Sequence, residues 1–216
     1  MQTPEQVAAA FDLLADQHDA MRWDLALSEF DASVLASLEG IATANVASSA
    51  LFLAGGSGRE ALSFVMHGWK CDLVELSRRM LELAECRLHK FDLRIVESEA
   101  ARYLADTTEK YDFISMVGEL VGYVQEPRSI LRAAALRLRP DGLIAVTWVD
   151  SSSLAATRQT EEQGVVALVE RDDLEIRAWT CETMQKYVDA ARLTVVLRSG
   201  RMAESPRRFW ILRKEM

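Results

Sequence analysis

Leu51-Phe52-Leu53-Ala54-Gly55-Gly56-Ser57-Gly58-Arg59 is an apolar strand that runs straight into a glycine-rich turn, and the next apolar run, Cys71 to Val74, closes on Glu75. Glycines let a backbone approach a ligand closely, and an acid about 20 residues further on can accept hydrogen bonds from both hydroxyls of a ribose. The pair predicts a bound nucleotide-like cofactor.

Working outward, the pattern alternates. A helix over Glu60 to His67, stopped by Gly68, leads to the strand Cys71 to Glu75, and Ser77 caps a helix from Arg78 to His89. Leu93 to Val96, Tyr111 to Met116 and Leu143 to Trp148 are short continuous apolar runs, the type buried on both faces of a parallel sheet. Helices are expected over Glu99 to Leu104 and Arg128 to Leu138, with Pro140-Asp141-Gly142 as the turn before the fifth strand. Towards the N-terminus, Thr3-Pro4-Glu5-Gln6 starts a helix that runs to about His18. A second helix carries Phe30, Val34, Leu35 and Leu38 on one face and is expected to end at Gly40. Beyond Asp150 the alternation stops. Ser151 to Arg171 reads as a connecting loop plus helix, followed by a helix over Cys181 to Ala191 and two strands, Leu193 to Arg198 and Phe209 to Arg213. Ser199 to Arg208 is too short for a helical crossover, so these last two strands are expected to be antiparallel.

With 216 residues, half of them apolar, the chain is expected to form one domain: a helical cap over 1–45, a cofactor-binding βαβ core over 46–150 and a substrate-side region over 151–216. A formal charge of −8 disfavours nucleic acid and anionic membrane surfaces as partners. Cys71, Cys86 and Cys181 are widely spaced and form no metal-ligand cluster with the histidines, so no metal site and a reduced, cytoplasmic protein are expected. No segment stays apolar for the roughly 18 residues a membrane span needs.

Four ordered segments resemble the class I S-adenosylmethionine-dependent methyltransferases of the small-molecule type. Phe52-Leu53-Ala54-Gly55-Gly56-Ser57-Gly58 stands where that family has an acid, a hydrophobic residue and Gly-x-Gly-x-Gly. Leu73-Val74-Glu75-Leu76-Ser77 resembles its second strand with the ribose-binding acid, and Ser98-Glu99-Ala100 its Gly-Asp-Ala element near the adenine. Tyr111 to Met116 with Leu136 to Gly142 resembles its fourth strand and the turn before the fifth. Phe11-Asp12-Leu13-Leu14-Ala15 with His18-Asp19 is similar to its N-terminal cap helix.

The resemblance implies an α/β, Rossmann-like doubly wound sheet of seven strands, mostly parallel with an antiparallel last strand, beneath N-terminal cap helices. It implies S-adenosyl-L-methionine held by Ala54, Gly55, Gly56, Gly58, Glu75, Leu76, Glu99, Ala100 and Met116, and a small-molecule acceptor. His18 and Tyr123 are the expected catalytic contacts, and Trp148 and Asp150 the expected acceptor contacts at the end of the fifth strand. Trp179 and Trp210 read as packing residues, and Arg207-Arg208 and Arg78-Arg79 as solvated charges. Two departures stand out: Phe52 replaces the family's acid, and Ala54 its first loop glycine. Phe52 motivates an alternative, a protein of this fold that binds the cofactor or a partner without transferring methyl groups. A further alternative is a nicotinamide-dependent oxidoreductase, because Gly56-x-Gly58-x-x-Ala61 also fits a dinucleotide loop.

Overall fold

The computed structural model describes residues 2–21, 25–44, 48–153, 159–160, 164–168, 175–199 and 205–215, with the backbone alone for those between 18 and 28 and between 153 and 168. Two helices, α1 (Pro4–Met21) and α2 (Leu25–Ala44), precede the first strand. The alternation then runs β1 (Ser49–Leu53), α3 (Arg59–Met66), β2 (Lys70–Glu75), α4 (Arg78–Leu88), β3 (Leu93–Glu97), α5 (Ala100–Asp106), β4 (Tyr111–Met116), α6 (Leu120–Tyr123), α7 (Pro127–Arg137) and β5 (Leu138–Val149). Short strands β6 (Gln159–Thr160), β7 (Gly164–Leu168) and β8 (Glu175–Ala178) follow, then α8 (Cys181–Ala190), β9 (Leu193–Arg198) and β10 (Arg207–Lys214).

Seven strands form one sheet in the order β3-β2-β1-β4-β5-β10-β9. β1 to β5 pair in parallel, and β10 inserts between β5 and β9, antiparallel to both. This is the doubly wound, Rossmann-like sheet with an antiparallel end. The apolar runs work because successive side chains leave opposite faces and both faces are covered. On one face Phe52, Phe113, Ala145 and Phe209 meet Phe30, Val34 and Leu38 of α2 and Phe64 of α3. On the other Leu51, Ile114, Val146 and Trp210 meet Leu131 of α7 and Met184 and Val188 of α8.

Several elements differ from the sequence reading, each for a physical reason. β3 is an edge strand, and none of its five residues is fully buried. α2 continues past Gly40 to Ala44 because its last turn is packed: Ala42 is buried, and its carbonyl accepts from the Trp69 indole N–H at 2.9 Å. Pro140-Asp141-Gly142 is carried as a bulge inside β5. The pairing with β4 jumps from Tyr111–Leu138 to Phe113–Leu143, and Asp141 takes φ 61°. Within Ser151 to Arg171 the described residues form a short 3-10 turn and β6 and β7, not an α-helix. β7 carries the β-branched pair Val165-Val166, and β6, β7 and β8 make a separate antiparallel sheet. Arg207 and Arg208 are both buried rather than solvated, because β10 lies inside the sheet and sends them to opposite faces.

Candidate active site

The turn after β1 is fixed by its own backbone and by β2. Gly55 N–H donates to the Val74 carbonyl at 3.1 Å, and Gly58 N–H to the Gly55 carbonyl at 3.0 Å. Gly56 and Gly58 have φ of +54° and +78°, and a Cβ on Gly58 would sit 2.7 Å from Leu88 Cδ1 of α4. A Cβ on Gly56 would meet no atom within 4 Å, so the loop presents bare backbone to open space there. Ala54 adopts φ 49°, a left-handed conformation with the methyl group that the usual glycine lacks. From α4, Arg87 Nη1 donates to the carbonyl (2.7 Å) and hydroxyl (2.6 Å) of Ser57, pinning the loop from below.

Glu75 ties this loop to the end of β2. Its Oε2 accepts from Gly56 N–H at 2.9 Å, and Oε1 accepts from the N–H groups of Leu76 and Ser77, both at 2.8 Å. Burial raises its pKa above the ordinary glutamate value despite these three donors, and Asp12 nearby pushes the same way.

These groups face a cavity of about 710 Å³ at the carboxyl edge of the sheet. Its wall includes Ala54, Gly55, Gly56, Ser57, Glu75, Leu76, Glu99 and Ala100, so most of the expected cofactor positions converge. α1 covers it with Val7, Phe11 and Leu14, and Phe11 meets Tyr123 edge to face at 5.6 Å between ring centres. Asp12 holds α1 there by accepting from Ser77 Oγ (2.5 Å) and Arg79 N–H (3.0 Å).

Other expected site residues lie elsewhere. Gly58 is buried beneath the loop and does not line the cavity. Met116 is fully buried in the core, because it points to the α7 face at the end of β4. Trp148 is also fully buried, stacked edge to face on Trp210 at 4.6 Å with its indole N–H on the Trp179 carbonyl. Asp150 is enclosed by Ser152 and by Arg208, whose Nη2 lies 2.6 Å from Oδ2, and these hold its carboxyl below the usual range although burial opposes them. It is a structural acid. His18 belongs to α1, but its side chain lies outside the described residues. Phe52 packs between Phe64 (5.2 Å) and Phe113 (6.3 Å) and does not line the cavity.

The structure also brings in residues to which the sequence assigns no place in the site. Glu119, on the cavity wall after β4, has φ 61°, and its N–H and that of Gly118 both donate to Thr147 Oγ1. Arg207 Nε lies 2.6 Å from Glu119 Oε1, and its Nη1 lies 3.0 Å from Asp31 of α2. Asp31 in turn lies 3.8 Å from Arg59, another wall residue. The one available signal was Arg207 beside a strand apolar on both faces, where a charge must find a buried partner.

The profile of a methyltransferase domain matches residues 39–198, well over half of the 216. The chain belongs to the methyltransferase domain family. This class I, S-adenosylmethionine-dependent family accounts for the sheet order. No curated protein sequence matches the chain. Solved structures with this methyltransferase fold are many. The 1,6-didemethyltoxoflavin N1-methyltransferase of Burkholderia thailandensis, solved with 1,6-didemethyltoxoflavin and S-adenosylhomocysteine, superposes with TM-score 0.71 at 16% identity, covering 100% of this chain and 92% of that one. The N-methyltransferase NodS of Bradyrhizobium japonicum with S-adenosylhomocysteine gives 0.72 at 14% identity over 98% and 99%. The 4+2 cyclase SpnF gives 0.74 at 12% identity over 99% and 97%. Among the described residues, no helix is long and apolar enough to cross a membrane.

Proposed function

We propose that this methyltransferase domain transfers a methyl group from S-adenosyl-L-methionine to a small-molecule acceptor by in-line displacement. The observation that carries the reading is the joining of Glu75 to Gly56 on the wall of one cavity, where the sequence pattern requires a ribose acceptor and a close backbone approach. The residues fit the group. Among the described donors Glu75 Oε2 takes one and Oε1 two, so Oε2 keeps acceptor capacity for a hydroxyl, and the space over Gly56 is open.

The cofactor supplies a methyl group on a sulfonium, already activated for displacement. The protein then has to hold the reactants in line and keep water out, and orientation of this kind can supply a large part of a rate enhancement. Glu75 would bind the ribose, with Leu76, Glu99 and Ala100 beside the adenine. Phe11, Leu14 and Tyr123 would close the acceptor side against water. Placing Phe11 and Tyr123 there makes α1 part of the active site rather than an appendage. The neighbouring structures solved with S-adenosylhomocysteine support the same ligand class for this chain. The non-transferring alternative draws on Phe52, which stands where the family has an acid and lies outside the cavity wall; turnover with an acceptor, read as accumulating S-adenosylhomocysteine, separates it from methyl transfer.

Calorimetry with S-adenosylhomocysteine tests the ligand assignment: saturable heat is expected for the wild-type protein, and much weaker binding for Glu75→Ala. Absence of heat at millimolar ligand overturns it. Native mass spectrometry of the purified protein gives a second readout, a retained adenosyl ligand.

A further inference from the structure

The geometry points to an amine as the acceptor, held by the carboxylate of Glu119. This rests on the methyl-transfer reading above. Glu119 lines the cavity, and its side chain retains 11% of its surface open. It is fixed from two directions. Thr147 Oγ1 accepts from its backbone N–H at 3.0 Å, and Arg207 Nε donates to its Oε1 at 2.6 Å. Arg207 is itself held by Asp31 at 3.0 Å and lies over the Phe30 ring at 4.4 Å. The left-handed backbone of Glu119 is unfavourable for a side chain of this kind, so its surroundings impose that conformation. The apolar and aromatic side chains of Val7, Phe11, Leu14 and Tyr123 complete a pocket for an apolar body bearing one polar reacting atom.

The charge balance selects the nucleophile. The amine, protonated when it binds, gives one proton to solvent water, and the neutral nitrogen then puts its lone pair on the methyl carbon while the electron pair of the carbon–sulfur bond returns to sulfur. The positive charge thereby moves from sulfur to nitrogen, giving a methylated ammonium and a neutral thioether, and the ammonium loses its proton to water after release. A carboxylate fixed beside that nitrogen interacts more strongly as its charge grows, which is the condition for lowering the barrier. An ionised oxygen acceptor gains no such growing attraction, because its charge falls as the methyl group arrives. Because Arg207 already orients the carboxylate, no reorganisation is needed at the moment of transfer.

The test uses the full chain saturated with S-adenosylhomocysteine and three probes sharing one ring: benzylamine, benzyl alcohol and benzoate. Calorimetry is expected to show benzylamine binding at least tenfold more tightly than the other two. Glu119→Gln should erase that preference while leaving S-adenosylhomocysteine affinity unchanged, and Glu119→Asp, which keeps the charge, should retain most of it. If Glu119→Gln fails to fold, the wild-type and Glu119→Asp orders decide. Equal binding, preference for benzoate or benzyl alcohol, no binding of any probe, or an amine preference unaltered in a folded Glu119→Gln overturns the assignment. Failure of S-adenosylhomocysteine itself to bind overturns the cofactor reading, a result separately visible before any probe is added.

Discussion

The backbone N–H of Gly56 donates to the side chain of Glu75 at 2.9 Å, so the glycine loop and the acid at the end of β2 form one hydrogen-bonded unit before any ligand enters. That relationship bears on the acid missing from position 52. The loop is held by Glu75 above and by Arg87 below, while Phe52 fills the space between Phe64 and Phe113.

Glu75 makes cofactor binding pH-dependent in a predictable direction. Its folded pKa is raised, chiefly by burial, so the carboxylate forms at higher pH than an ordinary glutamate with a value near 4.3. Affinity for S-adenosylhomocysteine is expected to rise with pH through that raised value and then level off. Folding stability moves the opposite way. Below about 4.3 both states hold the proton; between there and the raised value the unfolded chain has released it, so stability falls as pH rises. Calorimetric titrations across this range should show the slope for the wild type and none for Glu75→Gln.

Ala54 carries a removable cost. A left-handed conformation at a residue with a Cβ is unfavourable by about 1–2 kcal/mol, partly offset by the greater unfolded-state freedom that glycine introduces. Ala54→Gly is therefore expected to stabilise the protein by roughly 0.5–1 kcal/mol, read as a higher urea midpoint at unchanged slope. A lower midpoint would show that the methyl contacts outweigh the backbone term.

A second charged cluster, at the opposite edge of the sheet, governs acid stability. Asp72 accepts from Arg94 at 3.0 and 2.5 Å and from the hydroxyls of Tyr111 (2.5 Å) and Tyr103 (3.1 Å). Burial alone would raise its pKa, but these partners outweigh it and the net shift is downward. Its contribution is present above the ordinary aspartate value near 3.9 and is lost as pH falls through the lowered one. Asp72→Ala leaves the Tyr103 and Tyr111 hydroxyls only each other, 2.7 Å apart, so one of the two loses its acceptor, which costs about 1–3 kcal/mol at neutral pH. Arg94→Ala should cost only about 1 kcal/mol, since half of that side chain lies in solvent. Urea unfolding at pH 7 and pH 3 checks both, with the gap between Asp72→Ala and wild type narrowing at the lower pH.

Legibility divided along the range of the interactions. The strands around Leu51, Val74 and Ile114 could be read because burial on both faces leaves a continuous apolar run, and Ser77 could be read as a cap because its acceptor role is local: Met80 N–H bonds it at 3.2 Å. The glycine loop and Glu75 were legible as spacing. Trp148 and Asp150 were misplaced because the end of a strand offers two faces, and only the packing of Trp210 and Arg208 shows which way each side chain goes. Glu119 stayed hidden because its partner, Arg207, is 88 residues away, and no local pattern encodes that pairing.

Asp12 offers the sharpest test of α1 as part of the site. Its Oδ1 accepts from Ser77 Oγ and from Arg79 N–H, so it caps the start of α4 while belonging to a different helix. Loss of such a cap costs about 0.5–2 kcal/mol. The remaining links of α1 include the Phe11–Tyr123 contact and the Arg79–Asp16 pair, which is exposed and weak, and just before the helix Gln2 accepts from Glu175 N–H. Asp12→Ala should therefore loosen α1 selectively: hydrogen exchange over 4–17 is expected to accelerate about tenfold while β1, β4 and β5 keep their protection. Because α1 covers the cavity, S-adenosylhomocysteine should dissociate faster from the variant with little change in its association rate. Uniform acceleration across the sheet would instead mean that Asp12 supports the whole fold, and unchanged dissociation would mean that α1 does not retain the ligand.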